Sequence, residues 1–184
     1  MLKDKGIYDF LEERKDFLDG VVISGGEPTL QEDLVSLCER VKNLGYSVKL
    51  DTNGSRPGEL KRLIDYGLVD YVAMDIKTDP LSYDPLIKKG FNSEDLLSSI
   101  RTIMESAPAY EFRTTCVKEL VDERIIEDIA RMIAGARLYA LQQFNDTEVL
   151  HPEFFREHDA GYLEDELMDL RSVAEPWVQE CVVR

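Results

Sequence analysis

Apolar residues along this chain fall into two periods. Three consecutive residues, Val21, Val22 and Ile23, form a short β-branched run of the kind a strand buried on both faces requires, and the run stops at Ser24-Gly25-Gly26-Glu27-Pro28. Before it, Ile7, Phe10, Leu11 and Leu18 recur at helical spacing among Glu12, Glu13, Arg14 and Lys15. After it, Leu34, Leu37, Cys38 and Val41 stripe a helix over 31–43, opened by Thr29 or Gln31 and closed by Gly45. The same alternation continues. Strands are predicted at 46–51, 69–76, 110–117, 138–144 and 178–183, and helices at 59–66, 94–106, 122–134 and 163–173.

Strand and helix in turn, at roughly 25 to 40 residues per unit, mean a parallel sheet with right-handed crossovers. An open doubly wound sheet and a partial (β/α) barrel share this pattern, so the pattern alone leaves both open. No internal repeat or long linker divides the chain, and a single domain over 1–184 is expected.

In a parallel sheet, the loops that leave the C-terminal ends of the strands converge on one edge. Five polar clusters sit at such ends: Ser24 to Glu27, Asp51-Thr52-Asn53-Gly54, Asp75-Ile76-Lys77, Arg113-Thr114-Thr115 and Gln142-Gln143. That distribution points to a small polar ligand held at one site. The two glycines give a loop that a ligand can approach without a Cβ in the way. Asp51 and Asp75 end neighbouring strands, which pair at about 4.8 Å, so they repel unless a proton, an ammonium group or a cation such as Lys77 lies near. The alternative is that each aspartate caps a loop or helix. Lys77 and Arg113 suit a carboxylate, Arg113 through its planar fork, although solvation at the surface explains Lys77 equally well. Asn53-Gly54 also fits an ordinary turn.

The string Ser24-Gly25-Gly26-Glu27-Pro28-Thr29-Leu30 resembles a loop of the radical S-adenosylmethionine (SAM) enzymes. In that family it follows the second barrel strand and holds the methionyl amino group of SAM through its backbone. Asp51-Thr52-Asn53-Gly54 and Val72-Ala73-Met74-Asp75-Ile76-Lys77 resemble the third- and fourth-strand motifs of the glycyl-radical-enzyme activases, which act on pyruvate formate-lyase and anaerobic ribonucleotide reductase. Arg113-Thr114-Thr115 and Leu141-Gln142-Gln143-Phe144 are similar to the ribonucleotide-reductase-activator branch.

The resemblance implies an α/β partial barrel of the radical SAM type. It also implies a SAM site drawn from Ser24, Gly25, Gly26, Glu27, Pro28, Asp51, Thr52, Asn53, Asp75, Lys77, Arg113 and Gln143. Asp51, Thr52 and Asp75 are the implied ligands of a monovalent cation. The implied partners are a glycyl radical enzyme as protein substrate and an electron donor such as flavodoxin or ferredoxin. The family's [4Fe–4S] cluster sits on a Cys-x3-Cys-x2-Cys loop after the first strand, and this sequence contains neither that loop nor that strand. Residues 1–18 read as the helix that follows the loop. The expectation is therefore a truncated chain of an activase, inactive alone, with an open sheet edge at 21–24 that favours a homodimer.

Rival readings are another radical SAM enzyme acting on a small molecule, such as the deazaguanine-forming synthase, or a non-catalytic SAM-binding or partner-binding module. A plain (β/α) enzyme with Glu27 as base and magnesium on Asp51 and Asp75 is a further alternative.

Composition narrows the partners. Acidic residues outnumber basic ones 37 to 22, for a formal charge of −15, so a phosphate backbone is repelled and nucleic acid is not expected. Ten acidic residues against two arginines lie between Asp146 and Glu175, which reads as a solvated face or as a docking face for a basic partner. No apolar run approaches the roughly 20 residues of a membrane span, and residues 1–10 lack a signal-peptide core, so a cytoplasmic protein is expected. Cys38, Cys116 and Cys181 are too widely spaced for a local ligand set and read as buried thiols. His151 and His158 lie in acidic surroundings beside Pro152 and do not read as a metal pair.

Overall fold

The structure is a computed structural model, described here for residues 4–79, 92–144 and 160–184. His151, His158 and much of the acidic stretch lie outside those residues. The alternation is present throughout. Helix α1 (Asp4–Glu13) leads to β1 (Gly20–Ile23), a 3-10 turn (Pro28–Leu30), α2 (Leu34–Asn43), β2 (Ser47–Thr52), α3 (Pro57–Asp65) and β3 (Tyr71–Asp75). Then come α4 (Ser93–Ser106), β4 (Tyr110–Cys116), α5 (Glu123–Met132), β5 (Tyr139–Gln143), α6 (Glu164–Ala174) and β6 (Cys181–Val183). The strands form one six-stranded parallel sheet in the order β1-β2-β3-β4-β5-β6, an α/β fold of the kind expected. Of the described helices, none is long and apolar enough to cross a membrane.

The chain packs as two compact units, Met1–Ala73 with Glu94–Tyr110, and Met74–Ser93 with Glu111–Arg184. In the first, β1 runs parallel to β2 with Val21 opposite Val48 and Ile23 opposite Leu50. Val48, Leu50 and Thr52 lie on the buried face of β2, with Leu60, Leu63 and Ile103 in the same core, while Ser47, Lys49 and Asp51 take the more open face. The Tyr46 hydroxyl donates to the Leu11 carbonyl at 2.6 Å and ties α1 to the start of β2. In the second unit, β4, β5 and β6 are parallel, with Phe112 opposite Tyr139 and Tyr139 opposite Cys181. Phe112, Tyr139, Ile126 and Ile129 are fully buried there.

Three local readings change. The helix expected over 31–43 starts at Leu34, because Gln31 is extended (φ −85°, ψ 126°) and the preceding residues close a 3-10 turn instead. The cap is not Thr29 or Gln31. The N-cap position falls to Asp33, which makes no side-chain cap bond. The strand expected to be buried on both faces is covered on one: β1 ends the strand order, and Val22 is 59% exposed. Its β-branched run therefore reflects strand propensity and not double burial.

The turn before β3 carries an ion pair that ties it to α2 and β2. Lys42 Nζ lies 2.7 Å from Asp70 Oδ1, and the Val48 N–H donates to Asp70 Oδ2 at 2.7 Å. Burial raises the Asp70 carboxyl, but the hydrogen bonds from Lys42 and Val48 and the Lys42 charge outweigh it, and its pKa lies below the ordinary aspartate value. A depressed folded-state pKa stabilises above the unfolded pKa, and that stability is lost as pH falls through the folded value. Asp70→Asn is thus expected to cost about 1 kcal/mol in urea unfolding at pH 7, allowing for the pair's exposure to solvent. The difference from wild type should shrink in acid, below about pH 4, where the native carboxyl itself protonates. A gap that stays constant down to pH 2.5 would contradict this assignment.

Candidate functional site

In the first unit the end of β1 and the end of β2 meet through one side chain. Gly25 and Gly26 both have positive φ, 91° and 57°, and a Cβ built on either would meet nothing within 4 Å. Left-handed backbone is what glycine allows, and the open space beside both residues leaves their main chain accessible. Among the described residues, neither glycine makes a backbone hydrogen bond. Glu27 then turns inward and is only 8% exposed. Its Oε1 accepts from the Thr29 N–H at 3.2 Å, the Thr29 hydroxyl, and the Thr52 hydroxyl at 2.8 Å, while Oε2 accepts from the Asn53 N–H at 2.7 Å. The Thr52 hydroxyl accepts in turn from the Gly54 N–H, Asn53 Oδ1 accepts from the Ser55 N–H, and Ser99 donates to the Gly54 carbonyl. Pro28 is buried in the turn that Glu27 caps. Asp51, on the opposite face of β2, has Lys49 Nζ 4.0 Å away, and that ammonium also lies 5.1 Å from the Tyr71 ring centroid.

The second unit holds the end of β3. Arg113 Nε donates to Asp75 Oδ1 at 2.7 Å; the arginine side chain is 13% exposed and the aspartate 40%. The Ile76 N–H donates to the Arg113 carbonyl, and the Thr114 hydroxyl donates to the Ile76 carbonyl at 2.7 Å. The buried Tyr139 hydroxyl lies 2.8 Å from the Thr114 hydroxyl. Burial drives the Tyr139 pKa up, so this contact stays neutral. Lys77 is exposed, and Gln143 is exposed at the end of β5 with its side-chain amide donating to the Tyr162 carbonyl at 3.2 Å.

These partners revise the two-carboxylate reading. Each aspartate has its own nearby cation, Lys49 for Asp51 and Arg113 for Asp75. Arg113 is held against Asp75, and Thr52 is committed to Glu27 and Gly54. Among the described residues, no three His, Cys, Asp or Glu side chains are grouped as metal ligands. The structure also reveals anchors that the sequence did not announce. Thr29, read as a helix opener, instead donates to Glu27, and Thr114, read as one member of a strand-end cluster, holds the Ile76 carbonyl. Glu111, 1% exposed near the start of β4, accepts from Arg184 at 2.7 Å from 73 positions away. An acid flanked by Tyr110 and Phe112 was a visible signal of a buried ion pair, but its partner was not readable at that separation.

A family model described as the radical SAM superfamily matches residues 5–132. The chain belongs to the radical SAM superfamily. A protein of Methanocaldococcus jannaschii named as a candidate glycyl-radical enzyme activating enzyme is 36% identical over 173 residues, covering 91% of this chain and 71% of that protein. A second protein of that organism with the same description is 30% identical over 140 residues, covering 72% of this chain and 52% of its own length. A solved domain of a pyruvate-formate lyase-activating enzyme from Bacteroides vulgatus superposes with a TM-score of 0.71 at 18% identity, covering 91% of this chain and 99% of that one, which speaks for the fold. The recognition of an activase-like radical SAM chain from its strand-end motifs is borne out.

Membership implies SAM and a [4Fe–4S] cluster. The loop at Gly25-Gly26 fits the first: it is open, left-handed and backed by a buried clamp. The cysteines do not fit the second. Cys38 lies in α2 of the first unit, Cys116 and Cys181 in strands of the second, and all three are buried. Burial pushes their pKa values up to about 11, 12 and 11, so each is a protonated thiol at neutral pH. The native protein should therefore leave all three thiols unreactive towards a charged disulfide reagent at pH 8, and denaturant should release all three together. Rapid labelling of any one in the folded protein would contradict the burial that the structure assigns.

Proposed function

We propose that this chain forms the SAM-holding part of a glycyl-radical enzyme activating enzyme. The observation that carries the proposal is the Ser24-Gly25-Gly26 loop, open to a ligand and tied from below by Glu27, in a chain whose relatives include two proteins named for that activity. Two left-handed glycines let main-chain groups approach a ligand closely, and peptide carbonyls are suited to accept from an ammonium. The methionyl ammonium of SAM is the group we assign to this loop. Within the second unit, Arg113 sets the angle of the Asp75 carboxylate, whose oxygens are more exposed than their arginine partner, and Lys77 and Gln143 are exposed donors. Pro28, Thr52 and Asn53 act by shaping the two loops, and Asp51 enters as an acceptor on the open face of β2.

Bound SAM supplies hydrogen-abstracting chemistry in this family. The redox half of that chemistry is not assigned to these residues, because their three cysteines lie buried on three different elements, α2, β4 and β6. The protein substrate proposed is a glycyl radical enzyme, with flavodoxin or ferredoxin as the electron donor. The monovalent cation is left out of the proposal, since Thr52, one of its three expected ligands, is committed to Glu27 and Gly54.

The 184-residue chain alone, given SAM and dithionite, should release no 5′-deoxyadenosine. The protein that its gene expresses, reconstituted with iron and sulfide and mixed with SAM and candidate glycyl radical enzymes, should give a glycyl doublet by electron paramagnetic resonance with one of them. Release of 5′-deoxyadenosine without a doublet on any candidate would overturn the activase assignment in favour of a small-molecule radical SAM enzyme. SAM binding with no cleavage by the reconstituted protein would place it as a non-catalytic module.

A further inference from the structure

We infer that Glu27 is a positioning residue: its carboxylate is a clamp internal to the protein that locks the ends of β1 and β2 together and pre-shapes the Gly25-Gly26 loop before a ligand arrives. The inference deepens the proposed function and rests on it for the identity of the ligand, but not for the clamp itself. Four donors surround the two oxygens, three on Oε1 and one on Oε2, and they come from both strand ends: Thr29 beyond β1, Thr52 and Asn53 from β2 and just past it. The residue is 8% exposed and faces the interior of its unit. With four donors already on it, this carboxylate acts on the site through the backbone that it fixes.

The reason for such a clamp lies two residues earlier. Two glycines in a row have more backbone freedom to lose than any other pair, and a ligand that must order them binds more weakly. Anchoring residue 27 at four points, and closing the Pro28–Leu30 turn directly behind it, fixes one end of that flexible pair. The other end is already held by β1, whose Ile23 lies opposite Leu50. Ordering is completed when the protein folds and is not deferred to binding.

The donor geometry makes a sharp test. Hydroxyls can rotate and accept, but a backbone N–H cannot, and each carboxylate oxygen of Glu27 has one: Thr29 on Oε1 and Asn53 on Oε2. In Glu27→Gln the new amide NH2 must therefore face one of these N–H groups whichever way it is turned. One strand end loses its acceptor although the side chain keeps its shape.

Amide hydrogen exchange on the ligand-free chain reads the clamp directly. Glu27→Gln should speed exchange at Thr29 or Asn53 at least about tenfold while the β2 amides before Thr52 and those of α2 keep their protection. Thr52→Val, which removes the hydroxyl link, should give a smaller rise at Gly54 and Asn53, and Thr52→Ser should restore wild-type rates; this pair decides the matter if Glu27→Gln does not fold. Unchanged exchange in Glu27→Gln, or in Thr52→Val where that variant decides, overturns the clamp. SAM affinity, measured in parallel on the same proteins, should fall about tenfold in Glu27→Gln with little change in Tm. Faster exchange with unaltered SAM affinity would overturn the positioning role. Faster exchange in a protein whose wild type shows no response to SAM would uphold the clamp and instead reject SAM as the ligand of the loop.

Discussion

A carboxylate removed from water must be surrounded by donors, and in this protein that requirement links two strand ends. The penalty for leaving a buried charge unsatisfied is several times the gain from one hydrogen bond. Once Glu27 turns inward, Thr29, Thr52 and Asn53 must present donors to it. Their positions then follow: the 3-10 turn, the twist of the chain after β2, and the shape of the open Gly25-Gly26 segment. Among the described residues no cation takes part: the donors are two backbone N–H groups and two threonine hydroxyls.

The second unit solves a related problem with a neutral hydrogen-bond chain and one ion pair. Tyr139, fully buried, meets Thr114, and Thr114 holds the Ile76 carbonyl, so the backbone between Asp75 and Lys77 is fixed from beneath. Arg113 fixes the Asp75 carboxylate from the side. In both units the strand end presents groups to solvent: two glycines in one, an aspartate edge and a lysine in the other. The groups that hold them are threonines and one ionisable side chain. A strongly acidic chain of net charge −15 thus keeps a local balance of charge where its motifs lie.

The fold was legible because its signals are local. The apolar stripe of α5, including Ile126 and Ile129, and the terminating glycines Gly45, Gly67 and Gly135, all at positive φ, announce helices and their ends within a few residues. Element order and the parallel sheet followed from them. The candidate site was legible as an inventory and not as a set of contacts. Asp51 and Asp75 read as a repelling pair because a sequence shows which charges end the strands but not which cations lie beside them. Lys49, two residues before Asp51, was within sight, whereas Arg113 lies 38 positions from Asp75. Glu27 read as a ligand residue because its neighbours in the motif face the ligand. Its inward rotation is set by Thr52 and Asn53, 25 and 26 positions away, and no periodicity reports it. Val22 read as buried because β-branched residues favour strands at a sheet's edge as much as at its centre.

The central claim is that the loop at Gly25-Gly26, shaped from below by Glu27, is where SAM is received. Per-residue amide shifts in a nitrogen-proton correlation spectrum, followed as SAM is added to the millimolar range, test it most directly. Saturable shifts are expected at Ser24, Gly25 and Gly26, with Asn53 moving as the linked strand end, and small changes at Cys38 and along α2. Shifts confined to α5, α6 or β6, or none at Gly25 and Gly26 at saturating SAM, would contradict it.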